Sequence, residues 1–224
     1  AITWSFLTSS YFSSRYFTRG FLWDVAGSPI FINNDSYLHR IIGFLTTKMA
    51  HIFLNIMNPT LNFQGIELAK LPIIFSETES INISIDSIVA QGIELSKSDW
   101  DSNELSWDFE ELPLLNNSSS LPESYMGWEE KVTEDFFKLH ENEEELNRIF
   151  IDIYSLQDEL DSDVALKDIT ILQEELDRGE LESRNGELLT NKTELPIKKD
   201  VVIKQLLSYA VGCFMGRYRL DKPG

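Results

Sequence analysis

Two carboxamides, Asn62 and Gln64, stand on either side of an aromatic residue in the run Asn58-Pro59-Thr60-Leu61-Asn62-Phe63-Gln64. A carboxamide places an acceptor and two donors in one plane, the pattern that pairs with the N6 and N7 edge of adenine. The same third of the chain supplies Arg15, Arg19, Lys48 and Lys70, cations that can hold phosphate oxygens. For either amide taken alone, satisfying backbone groups in the break after Pro59 is the simpler role. Other chemistries lack their residues. The chain has no Gly-X-Ser-X-Gly elbow, no phosphate loop ending in Gly-Lys-Ser/Thr and no Cys/His metal set. His39 and His51, twelve residues apart with no cysteine or clustered acids beside them, suit capping or surface filling better than metal. Cys213 lies among Tyr209, Ala210, Val211 and Phe214, the setting of a buried, inert thiol.

Charge decides where an anionic ligand can sit. The net charge is −18 over 224 residues, yet residues 1–75 hold five Lys/Arg against three Asp/Glu, a balance of +2. The remaining residues hold fourteen against thirty-four, a balance of −20. Only the first third can approach phosphates without strong repulsion. A single cysteine excludes an internal disulfide framework and suits a reducing cytoplasm. No apolar run is long enough to span a bilayer and no leader pattern is present, so no membrane partner is expected. The chain opens at Ala1 inside a block that reads as folded and stops abruptly at Pro223-Gly224, so an excised piece of a larger protein is expected.

The elements that must position these residues follow from periodicity. Residues 2–31 alternate aromatic and small polar residues, with Gly20, Gly27 and Pro29 for turns, and read as a β-rich half-domain. Asn34 or Asp35 can cap a helix carrying Leu38, Ile41, Ile42, Leu45, Met49, Ile52, Phe53 and Ile56, with Arg40 and Lys48 facing outward. Pro59 disfavours helix at Asn58 and should stop it there. Ile66 to Lys70 suit one helical turn, Pro72 ends it, and Ile73, Ile74 and Phe75 read as a short strand. Ile81, Ile85, Ile88 and Val89 mark a helix ending near Ser96 to Trp100. Trp100, Trp107 and Phe109, set between acids, read as a packed connection rather than a base-stacking platform, which would need a basic groove. Asn116 to Ser120 form a linker. A long helix then carries Val132, Phe136, Leu139, Leu146, Ile149, Phe150, Ile153, Tyr154 and Leu160, with Glu141, Glu143, Glu144 and Glu145 on a solvated face. Residues 161–200 are polar, with a helix expected near Asp168 to Glu175 and a turn at Asp177 to Ser183. Lys198 to Phe214 form a last helix packed through Val202, Leu206, Tyr209, Ala210 and Cys213, with Gly216, Arg217 and Arg219 at its end. The expected class is α+β, with residues 1–78 a β-rich unit with a packed helix and residues 79–224 an acidic, mainly helical region.

The run NPTLNFQGIELAKLPIIF (Asn58 to Phe75) resembles the end of the target-recognition region in the PglX-like, adenine-specific DNA methyltransferases of restriction-modification and BREX phage-defence systems. Further blocks in the same order carry the resemblance: ITWSFLTSSYFSSRYFTRGFLWDVAGSPIF (Ile2 to Phe31), SKSDWDSNELSWDFEELPLL (Ser96 to Leu115), FKLHENEEELNRIFIDIYSLQDEL (Phe137 to Leu160) and AVGCFMGRYRLDKPG (Ala210 to Gly224).

The resemblance implies that residues 1–75 belong to a unit reading a short DNA site, and the side chains that suit such contacts there are Arg15, Arg19, Lys48 and Lys70 for phosphates and Asn62 and Gln64 for base edges. It makes the acidic helical region a spacer and docking surface for the rest of the enzyme or for other defence-system proteins. Such enzymes hold S-adenosylmethionine on a Gly-rich turn after a strand and the flipped adenine in an Asn/Asp-Pro-Pro-Tyr/Phe loop. This chain has neither, and Asn58-Pro59-Thr60 shares only two letters with the second. The implied function is therefore a non-catalytic part of the methyltransferase, with the cofactor held by the parent. An acidic helical protein-interaction module is the alternative.

Overall fold

A computed structural model describes residues 1–6, 12–18, 20–60, 62–115, 120–184 and 194–219. The fold is α+β. Three short strands, β1 (Ile2–Trp4), β2 (Ser14–Tyr16) and β3 (Pro29–Ile30), form an antiparallel sheet in the order β2-β1-β3. The register places Ile2 opposite both Tyr16 and Ile30, and Thr3 opposite Arg15. Ile2 and Trp4 turn the same way, as strand alternation requires, and both are buried.

Among the described residues the α-helices are α1 (Leu38–Leu45), α2 (Lys48–Met57), α3 (Gly65–Leu68), α4 (Glu79–Asp101), α5 (Leu121–Tyr154), α6 (Arg178–Ser183) and α7 (Lys199–Phe214). The chain divides into two compact units, one of residues 1–93 with 141–164, the other of residues 94–140 with 165–224. The division at residue 78 followed charge and element type, whereas this one follows packing, and the two cut the chain differently.

In the first unit Ile2, Trp4, Phe44, Leu54, Phe63, Ile85 and Phe150 share one core. Phe44 meets Phe150 edge-on at 5.6 Å between ring centres. Gly43 lets α1 approach closely, since a β-carbon there would lie 2.9 Å from Val89 Cγ2 and 3.2 Å from Ile85 Cγ2. The helix expected over residues 35–57 is broken at Thr46-Thr47. The Thr47 hydroxyl donates to Phe44 O at 2.6 Å and accepts from Ala50 N–H at 3.4 Å, so it closes α1 and caps α2 together. Asn58 is the residue that ends α2, as the following proline requires.

Several expectations are corrected. Ile73 to Phe75 form no strand, because among the described residues no neighbouring strand meets them. The Tyr154 hydroxyl takes the place of a ladder partner, accepting from Ile74 N–H at 2.9 Å and donating to Pro72 O. Arg40 does not face outward: its side chain is 12% exposed and bonds Asp86 at 3.1 Å and Glu79 at 3.3 Å. A short 3-10 turn, Leu166–Asp168, and a left-handed Leu172 (φ 53°) replace the helix expected near Asp168 to Glu175. The helix forms instead at Arg178–Ser183, where Asp177 accepts from Gly179 and Glu180 N–H groups. Of the three aromatics expected to pack, Phe109 is buried, but Trp100 is exposed and Trp107 fully so.

In the second unit Phe109, Leu112, Leu114, Val202, Tyr209 and Tyr218 form a core, with the Tyr209 and Tyr218 rings stacked at 5.1 Å. Arg178 staples the preceding segment by donating to Lys167, Ile169 and Ile171 carbonyls at 3.2, 2.8 and 2.9 Å. α7 ends as expected: Gly216 has φ 76°, and Arg217 N–H bonds Gly212 O at 2.8 Å. Among the described residues, no helix is long and apolar enough to cross a membrane.

Candidate nucleic-acid interface

Phe63 anchors the loop that carries both carboxamides. Its ring is buried and meets Phe12 edge-on at 5.4 Å, its N–H donates to Phe6 O at 2.9 Å, and its carbonyl accepts the Trp4 indole N–H at 2.8 Å. With Phe63 held inward on the sheet, its neighbours Asn62 and Gln64 are both exposed. The loop closes on itself through Asn58. The Asn58 carboxamide accepts from Thr60 N–H at 3.2 Å and Thr60 Oγ1 at 2.7 Å, and donates to Asn62 O at 2.8 Å. Asn58-Pro59-Thr60 is thus a structural turn. Asn62 has its backbone satisfied by neighbours, leaving its amide outward. Gln64 is the N-cap of α3, and its own N–H donates to the Glu67 carboxylate at 2.9 Å.

The cations part company. Arg15 is exposed on the edge strand β2 and its Nη1 donates to Ser5 Oγ at 3.4 Å. Ser5 lies between Trp4 and Phe6, the two residues that hold Phe63, so Arg15 reaches the same end of the sheet as the two amides. Lys70 is exposed just past α3. Among the described residues no carboxylate pairs with Arg15 or Lys70. Lys48 is committed inside the unit: its backbone N–H donates to Asn147 Oδ1 at 2.9 Å and its ammonium pairs with Asp161. That ion pair holds the Asp161 carboxyl below the usual range. Arg19 lies outside the described residues.

Sequence reading missed two parts of this arrangement. The Trp4–Phe63 bond spans 59 residues, and no local signal announces it. His51, expected to cap or fill a surface, accepts Phe12 N–H at Nδ1 (3.3 Å) and meets the Asn55 amide at Nε2 (2.9 Å), and burial lowers its pKa. Among the described residues no group of His, Cys, Asp and Glu is arranged to hold a metal ion.

No family model matches the chain. Its whole length is, however, 33% identical over 230 aligned residues to the adenine-specific methyltransferase PglX of Lacticaseibacillus casei (strain Zhang). This chain is PglX-like. It is also 30% identical, over 99% of its length, to the adenine-specific methyltransferase BrxX of Escherichia coli O9:H4 (strain HS). The chain spans 17% of the length of these PglX and BrxX relatives.

Proposed function

We propose that this chain is a non-catalytic part of an S-adenosylmethionine-dependent, adenine-specific DNA methyltransferase of a restriction-modification or BREX phage-defence system, contributing target recognition and spacing. The observation that carries the reading is the exposure of Asn62 and Gln64 on either side of anchored Phe63, with Arg15 at the same end of the sheet. Arg15 and Lys70 hold phosphates, and the two amides read base edges. Lys48 serves the fold rather than the ligand in this reading.

The residues described here do not fit the methyl donor. The sheet is antiparallel, and neither of the two described glycines with positive φ opens an α-helix after a strand as a nucleotide-type cradle requires: Gly20 leads to a 3-10 turn at Val25–Gly27 and then β3, and Gly216 follows α7. Cofactor and flipped base are accordingly assigned to other parts of the longer protein, as is the cytoplasmic setting of the whole.

The test is duplex binding by fluorescence anisotropy across a salt series, with wild type beside Arg15→Ala and Asn62→Ala. Affinity that falls with salt, and weakens in both variants, is expected. No affinity at the lowest salt would overturn independent DNA reading. A second reading, an acidic helical protein-interaction module, draws on the fourteen Lys/Arg against thirty-four Asp/Glu in residues 76–224. It predicts partner binding that added DNA leaves unchanged.

A further inference from the structure

Trp107 stands wholly exposed on a loop that is itself held fast. Its neighbour Ser106 donates its hydroxyl to Asp101 at 2.8 Å and accepts Asp108 N–H at 3.2 Å, while Phe109 is buried in the core of the second unit. The loop is therefore anchored on both sides of an indole that nothing covers. A large aromatic ring fixed in water in this way offers both an apolar face and an electron-rich one to a ligand.

The indole lines a groove of about 750 Å³ that lies wholly within the second unit. Five acids, Glu94, Asp101, Asp108, Glu110 and Glu111, line it against one cation. That cation, Lys97, is already held between Asp101 and Asp108. Glu94, Glu110 and Glu111 are exposed, and among the described residues none of them pairs with a Lys, Arg or His. Arg217 rests on the Tyr218 ring at 5.1 Å and does not line the groove.

We propose that this groove docks an arginine-bearing segment of a partner protein. A guanidinium stacks on an indole face and forks onto carboxylates, so one side chain uses both features of the site. Charge points the same way at every scale: the groove lining carries a balance of −4, residues 76–224 carry −20 and the whole chain −18. A nucleic acid, an anionic membrane and an acidic helix are repelled at all three. Among the described residues no group of His, Cys, Asp and Glu is arranged to hold a metal ion, which leaves an organic cation as the counterpart of these carboxylates. The inference gives the acidic-module reading a site and a partner chemistry, rests on that reading for the existence of a partner, and is independent of DNA reading by the first unit.

The experiment titrates the 224-residue chain against labelled peptides of about ten residues, alike except that their charged positions carry Arg, Lys or Glu. The Arg peptide is expected to bind more tightly than the Lys peptide, and the Glu peptide not at all. Trp107→Ala should weaken the Arg peptide about threefold and remove most of its advantage over the Lys peptide. Its fold should be unchanged, because the ring is wholly exposed. Glu110→Gln with Glu111→Gln should weaken both cationic peptides about fivefold. Glu130→Gln with Glu134→Gln removes the same charge from exposed positions on α5 outside the groove, and should change little. Equal loss in the two double variants would mean diffuse attraction to an acidic chain, which overturns the groove and leaves the acidic-module reading standing. Binding of no peptide, Arg and Lys peptides bound alike, or Trp107→Ala without effect would also overturn the proposal. So would self-association by light scattering that Trp107→Ala removes.

Discussion

The indole N–H of Trp4 donates to the carbonyl oxygen of Phe63 at 2.8 Å, tying the first strand to the loop that carries Asn62 and Gln64. Both groups are buried, so loss of the donor strands an acceptor away from water. Trp4→Phe should lower unfolding stability by about 1–3 kcal/mol in urea titrations. An unchanged midpoint would mean that the ring alone holds the loop.

Arg15 and Lys48 should separate in their effects. Arg15→Ala should reduce the slope of log affinity against log salt by about one while leaving stability nearly unchanged. Lys48→Ala should leave the salt slope as it is, since the ammonium is already paired with Asp161. Equal loss of DNA affinity in both variants would show that the ion pair opens on binding.

Two glycines mark where helices or rings come closest. A β-carbon on Gly212 would lie 2.5 Å from the Tyr218 ring, which is itself held between Tyr209 and Phe109 and cannot swing away freely. Gly212→Ala and Gly43→Ala should each destabilise by about 1–3 kcal/mol through overpacking. Ala at the open Gly27, which meets nothing within 4 Å, is the control. Thermal melts of the three variants decide the point.

Asp99 supplies a pH dependence of defined sign. Burial pushes its carboxyl up to about 6, against the opposing hydrogen bond from Leu172 N–H at 3.0 Å, and nearby Glu175 adds to the rise. The folded state therefore holds this proton more tightly than the unfolded chain does. The resulting stabilisation is complete below the unfolded value of 3.8 and is lost as pH rises through about 6. Asp99→Asn keeps the acceptor for Leu172 and should flatten stability between those limits, read by urea midpoints at stepped pH. A slope unchanged by the substitution would assign the titration elsewhere.

Helix positions were legible where apolar spacing was regular, as in α4, α5 and α7, because a buried stripe needs no knowledge of what covers it. The break between α1 and α2 was not, since Thr46-Thr47 reads as ordinary helix until the hydroxyl of Thr47 is seen bonding Phe44 and Ala50. Ile73 to Phe75 carried a strand's residues without a strand's neighbour, and only tertiary structure supplies that. At the candidate site, residue types pointed to Asn62, Gln64 and Arg15. The commitment of Lys48 to Asp161 depends on a contact across 113 residues, which charge counts cannot reveal.

The interleaved path of the chain constrains how the protein can be dissected. A stop codon after residue 93 would remove residues 141–164, and with them Phe150 and Tyr154 against Phe44, Asn147 against Lys48, and the hydroxyl that holds Ile74. Such a truncation would expose hydrophobic core and aggregate, and its failure to bind DNA would say nothing about recognition. A soluble minimal version needs an internal deletion bridged by a flexible linker, so that both stretches of polypeptide are retained.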